Sequence, residues 1–292
     1  MPYRIVDAYP PFRECWERAG SNPERLLEAW EREYMSMYPE LLRLQVENYE
    51  SMGVDWREVA RERVFPKLKE ALPRIEEAHR NLLEVIPGAL EGFRSFWNRD
   101  FDVTFVIYVG IGCGAGWAAE YGGRYAVLLG LENIAELEWQ SKEDLEGLIL
   151  HELSHIAHMA LRGVSAKEFE RLEEDPLFLL YSEGFATRCE ELMLGREMRR
   201  IARDESWLEW CRDNLGFLAS EYLRRVEENE PVNDFFGSWL SVEGRSQVGY
   251  YMGHEFVRSL EGGMSLEEIA VMSLEDVRRH AERFLGGLAS TR

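Results

Sequence analysis

The chain has 292 residues, of which 46% are hydrophobic, so it can bury a substantial core as one large domain or two closely packed lobes. Its formal net charge of −20 argues against nucleic acid or an anionic membrane as a partner. No apolar stretch is long enough to cross a bilayer, and the first residues do not resemble a secretory signal. The four cysteines are far apart in the sequence, which predicts a cytoplasmic protein with reduced thiols.

The first part of the chain is predicted to be helical throughout. Capping residues or prolines indicate three helix starts, at Asn22-Pro23, Tyr38-Pro39 and Asp55. Pro73 and Pro87 are expected to interrupt the segment that follows. We therefore predict a helical N-terminal lobe at residues 1–97, before a catalytic domain at residues 98–292.

A change in composition at Phe101 indicates β-structure. Residues 101–110 are β-branched and aromatic, which favours a strand, and residues 124–130 predict a second strand. The glycine-rich stretch between them nearly matches a dinucleotide-binding fingerprint. That fingerprint needs a long helix directly after its glycines, whereas Gly122-Gly123 interrupts the sequence there. We therefore interpret the glycines as a turn region.

The most informative stretch is residues 143–163, with the H-E-x-x-H motif His151-Glu152-Leu153-Ser154-His155 at its centre. Ser141 with Asp144 predicts the start of a helix, and Gly163 predicts its end. Positions i and i+4 lie on one face of a helix, so the two imidazoles can bind one metal ion. Glu152 is their neighbour and can face an attacking water without being a ligand.

A catalytic zinc ion takes three protein ligands, so a third must lie elsewhere in the chain. His158 is about 10 Å from His151 along the helix axis, which is too far for one ion. Glu183 is the best choice because it lies in the apolar segment 177–194, where a buried carboxylate must be paired or bound to metal. The other nearby acids are interpreted as solvated surface, namely Glu173, Glu174 and Asp175.

Two histidines and a glutamate around one zinc ion per chain predict hydrolysis, with a peptide as the substrate. In this hypothesis Glu152 takes a proton from the attacking water and returns it to the leaving amine. The oxyanion needs a second donor besides the metal. The candidates lie on one late helix and are Tyr250, which is favoured, Tyr251 and His254.

The order of strands, H-E-x-x-H helix, glutamate helix and late tyrosine resembles the gluzincins, the thermolysin-like zinc metallopeptidases. Within residues 101–260, the segments HELSHIAH, SEGFA and GYYMG are similar to uncharacterised zinc-dependent proteases of bacteria and archaea. The resemblance implies that strand 124–130 is an edge strand that pairs with an extended peptide. It also implies roles for individual residues, with zinc ligands at His151, His155 and Glu183, the base at Glu152, and a transition-state tyrosine at Tyr250 or Tyr251.

Two further positions bear on this resemblance. Thermolysin-type enzymes carry an acid four residues after the ligand glutamate, where this chain has Thr187, so support for the ligands must come from elsewhere, with Glu190 as a candidate. Glu132 and Asn133 match the last two residues of the G-A-M-E-N motif of gluzincin aminopeptidases. This match implies that they bind the substrate and its free amine.

The sequence therefore predicts a predominantly helical α+β protein of the zincin type, with a small mixed or antiparallel sheet and an active-site helix. The predicted function is that of a zinc metallopeptidase acting on peptides, without a nucleic-acid or membrane partner. Two alternatives remain open. One is a non-catalytic binding or scaffold protein with a zincin fold, and the other is a zinc hydrolase that acts on a different amide.

Overall fold

The computed structural model describes residues 3–196, 201 and 205–290. The chain is predominantly helical with one small mixed sheet, which confirms the predicted α+β class. It divides into two compact units, residues 1–152 and 153–292. A catalytic domain at residues 98–292 remains a prediction. In the part of the chain that the structure describes, no helix has the length and apolar character needed to cross a membrane.

The first unit contains the whole sheet and most of the N-terminal helices. Its strands are β1 (Arg4–Asp7), β2 (Thr104–Tyr108), β3 (Gly116–Tyr121) and β4 (Arg124–Gly130). Its helices are α1 (Tyr9–Ala19), α2 (Pro23–Ala29), α3 (Pro39–Ser51), α4 (Trp56–Val59), α5 (Phe65–Trp97), α6 (Leu131–Glu136) and the first half of α7 (Lys142–Arg162). Helices α2 and α4 each continue into a π-helical turn, at Trp30–Tyr34 and Ala60–Val64.

The sheet has the strand order β1-β2-β4-β3, in which β1 and β4 run parallel to β2 and β3 runs antiparallel to β4. The prediction that residues 124–130 form an edge strand is therefore wrong, because β4 lies inside the sheet and β3 forms its edge. The cause is the turn at Gly122 and Gly123. Both have positive φ, which suits a two-residue hairpin turn, so the residues before them form a strand as well.

The predicted helix starts are confirmed, but the first strand was missed. The side chain of Asn22 accepts a hydrogen bond from the Arg25 amide, and that of Asp55 accepts one from the Arg57 amide. Proline opens α3. Residues 4–7 form β1 rather than a helix, because they pair in parallel with the buried β2. Four residues are too few to show the alternation by which a strand is recognised.

Helix α5 is one continuous helix of 33 residues, so Pro73 and Pro87 do not divide this segment as expected. A proline inside a helix costs about 3 kcal/mol, because it removes one hydrogen bond and its ring crowds the preceding turn. The apolar face of α5 is buried along its length and offsets this cost. Its buried side chains include Leu68, Ile75, Leu82, Ile86, Leu90 and Phe93.

The loop after β2 is fixed by three aromatic side chains from the N-terminal helical region. The Trp30 indole donates a hydrogen bond to the carbonyl of Val109 (2.9 Å), and the Tyr34 hydroxyl accepts one from the amide of the same residue (3.2 Å). The Tyr49 hydroxyl donates to the carbonyl of Ile111 (2.8 Å). Buried backbone groups need such partners, so these contacts hold the loop in one conformation.

The described part of the second unit is helical, with the end of α7 followed by seven α-helices. They are α8 (Ala166–Glu173), α9 (Pro176–Leu194), α10 (Glu205–Asp213), α11 (Leu215–Glu228), α12 (Val248–Leu260), α13 (Leu266–Ala270) and α14 (Leu274–Ala289). The side chains of Ser265 and Ser273 cap the first turns of α13 and α14. Helices α10 and α11 meet at Asn214.

Helices α9 and α12 touch at two glycines. A Cβ atom on Gly184 would lie 2.2 Å from the carbonyl oxygen of Gly253, and one on Gly253 would lie 2.5 Å from that of Leu180. No side chain fits between the two backbones at this point. The two glycines therefore permit this close approach of the helices.

Candidate metal centre

The motif helix begins and ends as its sequence predicts. The Ser141 hydroxyl accepts a hydrogen bond from the Asp144 amide (3.1 Å), so it caps the first turn of α7. Gly163, with a φ of +67°, follows the last residue, and the amide of Val164 binds back to the carbonyl of Met159. The motif residues between these two ends are buried.

Three of the predicted ligands lie together. One ligand atom each from His151, His155 and Glu183 lies within 4.8 Å of the others, and Nε2 of His155 is 3.4 Å from Oε2 of Glu183. Two ligands of a tetrahedral zinc ion, each about 2.0–2.1 Å from the metal, lie roughly 3.3 Å apart. Among the described residues, no other group of three histidine, cysteine or acidic side chains comes as close.

This donor set fits a divalent metal ion. Two imidazoles and one carboxylate are ligands that zinc and related transition metals accept, and three protein ligands are the number found in catalytic zinc sites. His151 and His155 are buried, and the Glu183 side chain keeps only 17% of its surface exposed. The cluster could therefore hold a metal ion.

The surroundings of Glu183 explain how the chain departs from the thermolysin pattern. Thr187 stands where those enzymes have an acid, and its hydroxyl donates to the carbonyl oxygen of Glu183 (2.8 Å). The hydroxyl thus bonds to a backbone carbonyl of its own helix and does not orient a histidine. Glu190, the other candidate for supporting the ligands, is buried in α9.

Glu152 is buried beside β3. A Cβ atom on Gly116, the first residue of that strand, would lie 2.9 Å from both Cγ and Oε1 of Glu152. A glycine is needed at this position because any side chain would displace the carboxylate. The residue predicted to be the base therefore faces the edge strand of the sheet.

The outer edge of β3 offers backbone groups for pairing. The amide of Gly130 donates to the carbonyl of Ala115 (3.0 Å), and these two residues face each other in the register of β3 with β4. Because hydrogen-bonded positions alternate along an antiparallel pair, the amides and carbonyls of Gly116 and Ala118 point away from β4. The strand order ends here, so no described strand pairs with that side.

The three candidate oxyanion donors have different surroundings on α12. Tyr251 is buried edge-on against Trp207, and burial raises its pKa to about 12. His254 is also buried, and its ring nitrogens face the carboxylates of Glu191 and Glu255. Tyr250 is half-buried. Of the three side chains, Tyr250 is thus the most accessible.

His158 is a packing residue, as its distance from His151 along α7 predicts. It does not belong to the metal group, and burial holds its pKa well below the usual range, so the ring is neutral. Four aromatic rings surround it at centroid distances of 4.4–6.1 Å, those of Phe169, Phe178, Tyr181 and Phe185.

Glu132 and Asn133 are buried at the start of α6, where Glu132 organises the glycine-rich loop. Its carboxylate oxygens accept hydrogen bonds from the amides of Gly110 (2.7 Å) and Gly112 (3.1 Å). Burial raises the pKa of this carboxyl to about 7. The stretch that resembles a phosphate-binding loop thus directs two amides at a carboxylate of its own chain, which agrees with its interpretation as a turn.

Glu132 and Asn133 also border a cavity of about 240 Å³ in the first unit. The other charged residues that line it come mainly from the start of α5 and the turn before it, and they are Arg63, Lys67, Glu70, Arg74 and Glu136. None of the three metal-ligand candidates borders this cavity. Substrate binding by Glu132 and Asn133 remains a prediction.

One acid was misjudged from the sequence. Glu173 is half-buried rather than solvated, and its Oε1 accepts a hydrogen bond from the hydroxyl of Ser182 (2.6 Å). Burial raises its pKa to about 7, and the charge of nearby Glu183 acts in the same direction, whereas His155 lowers it. Asp175 is also engaged, since it caps α9 and pairs with Arg278 (2.5 Å). Because both residues lie in a run of acids, the sequence did not indicate the hydrogen bond of Glu173 or the cap and ion pair of Asp175.

Comparisons of the chain with protein-family models, with curated proteins and with solved structures found no match.

Proposed function

We propose that the protein is a zinc-dependent metallopeptidase of the gluzincin type. The observation that carries this proposal is the convergence of His151, His155 and Glu183, with Glu152 directly beside the first histidine. These three residues would hold the metal. A structural metal site does not need an additional buried carboxylate next to its ligands, whereas hydrolysis needs a base there.

The chemistry divides between the metal and the chain. A bound zinc ion would polarise the substrate carbonyl and make water a better nucleophile at neutral pH. The Glu152 carboxylate would accept the proton of the attacking water at one of its oxygens and deliver it to the amine that leaves. The Tyr250 hydroxyl would donate a hydrogen bond to the developing oxyanion, because it is more accessible than its two rivals.

The edge strand supports a peptide as the substrate. An extended peptide that adds a strand to the outer edge of β3 would bond to the outward amides and carbonyls of Gly116 and Ala118. Gly116 also lies against Glu152, so a peptide bound at this edge would lie close to the base. Backbone pairing does not depend on side chains, which favours a site that accepts many peptide sequences.

The test is cleavage of a peptide library by the zinc-loaded wild type and by Glu152→Gln. Proton transfer by a positioned side chain contributes about 10²–10⁴-fold, so the variant should lose at least a hundredfold in kcat/KM while it retains zinc. Mass spectrometry of the products measures the cleavage, and elemental analysis measures the metal.

Each alternative gives a different result. Full activity in Glu152→Gln would refute the role of the base. Zinc-loaded protein that cleaves no peptide but hydrolyses small amides would indicate a different hydrolase. Bound zinc with no hydrolysis of either substrate class would indicate a binding or scaffold protein.

A further inference from the structure

Helix α8 presents two side chains to the metal-ligand region. Phe169 and Glu173 are four residues apart, so they lie on the same face of α8, one turn from each other. The Phe169 ring is buried and lies edge-on to the ring of His155, with 6.4 Å between centroids. Glu173, one turn further along, is directed to the same region of the second unit.

The Glu173 carboxylate is anchored next to a ligand. Its partner Ser182 is fully buried and immediately precedes Glu183 in α9. The serine hydroxyl also lies 3.1 Å from the carbonyl of Leu179, but its contact with the carboxylate is shorter, at 2.6 Å. The shorter contact is therefore the main hydrogen bond of the serine hydroxyl. This contact ties the end of α8 to the turn of α9 that carries Glu183.

We propose that Glu173 is a positioning residue of the metal centre, an inference that rests on the metal binding in the proposed function. Through Ser182 it holds the helical turn that presents Glu183. Its negative charge, close to His155 and Glu183, makes the site more favourable for a divalent cation. Support for the ligands would thus come from α8 and not from Thr187, the residue at the position of the thermolysin acid.

Glu173 should lower the stability of the metal-free protein but raise its affinity for the metal. Without metal, two carboxylates close together in a half-buried region repel each other and lose hydration. Replacing one of them should therefore stabilise the metal-free protein. With metal, both charges attract the cation. A residue that only stabilised the fold would lower stability and metal affinity together when it is replaced.

The experiment measures zinc affinity of the full chain by competition with a chromophoric chelator, and thermal stability of the metal-free protein. Glu173→Gln keeps an acceptor for Ser182 but removes the charge. We expect its zinc Kd to rise by about tenfold or more, within the range for groups that support metal ligands, and its metal-free Tm to equal or exceed that of the wild type. Glu174→Gln, at the exposed neighbouring position, should change neither value.

Glu173→Ala also removes the acceptor and should bind zinc more weakly than Glu173→Gln. Cobalt(II) absorption of the two variants provides a second readout, because its visible bands report the arrangement of the ligands. Wild-type zinc affinity in Glu173→Gln, or a zinc affinity that falls only together with metal-free stability, would overturn the role of Glu173. A wild type that binds no zinc would instead refute the proposed function itself.

Discussion

Two carboxylates, half-buried Glu183 and buried Glu132, occupy contrasting environments in this protein. Glu183 lies 3.4 Å from the imidazole of His155 and within 4.8 Å of a second histidine. Glu132 lies among backbone amides, with Gly110 and Gly112 as its donors. Imidazoles share metal ions with carboxylates, whereas amides satisfy a carboxylate without any ion. The kind of neighbour therefore distinguishes a candidate ligand from a structural acid.

The most direct test of this difference between Glu183 and Glu132 is to make the same substitution at both positions. Glu183→Gln replaces a candidate metal ligand with a poor one, and we expect zinc affinity to fall about a thousandfold, roughly 4 kcal/mol. Glu132→Gln should bind zinc like the wild type. Chelator competition measures both variants. Equal losses at the two positions would show that the third ligand has been assigned wrongly.

The pH dependence of stability should distinguish the two carboxylates as well. The pKa of Glu132 is raised to about 7 in the folded chain, against about 4.3 when it is unfolded. Between these values the folded state holds a proton that the unfolded state has lost, so stability falls as pH rises. The full loss is on the order of 3 kcal/mol and is complete above pH 7.

The glutamine in Glu132→Gln does not titrate, so the stability of this variant should not fall in the same way. Its free energy of unfolding should gain about 3 kcal/mol relative to that of the wild type between pH 4 and pH 8. Urea unfolding of both proteins across that range measures the difference. A difference that does not change with pH would mean that folding does not raise the pKa of Glu132.

A smaller effect is expected at Gly116, where an added methyl group points at Glu152 and not at Glu132. Gly116→Ala should reduce kcat/KM about tenfold, roughly 1.4 kcal/mol, because it displaces the base by a fraction of an ångström. Gly92→Ala is the control, since a Cβ atom at this helical position meets no atom within 4 Å. Equal activity of both variants would argue against Glu152 as the base.

The site was more predictable from the sequence than the sheet. The helix spacing of His151 and His155 and the apolar setting of Glu183 indicated the metal group, because these signals are local. The Gly122-Gly123 turn is a local signal for the hairpin of β3 and β4, but the order of all four strands depends on pairing between distant segments. Glu173 was missed for a related reason, because a run of acids looks solvated until the partner of each one is known.

In helix α5, local patterns predicted a feature that the structure does not have. Pro73 and Pro87 are local signals for a break, yet the buried face of the helix outweighs them. Local rules fail here because the packing energy of a long amphipathic helix is a sum over many positions. The sequence therefore predicted the candidate metal group, whose signals are local, better than it predicted features that tertiary packing decides.

The contact between Gly184 and Gly253 also constrains how this chain can evolve. A side chain at either position would push α9 and α12 apart, so neither glycine can change alone. Glu183 directly precedes one of them, and Tyr250 lies three residues before the other. We expect natural relatives that retain the glutamate to retain both glycines, which provides a search pattern that depends on backbone geometry rather than on catalysis.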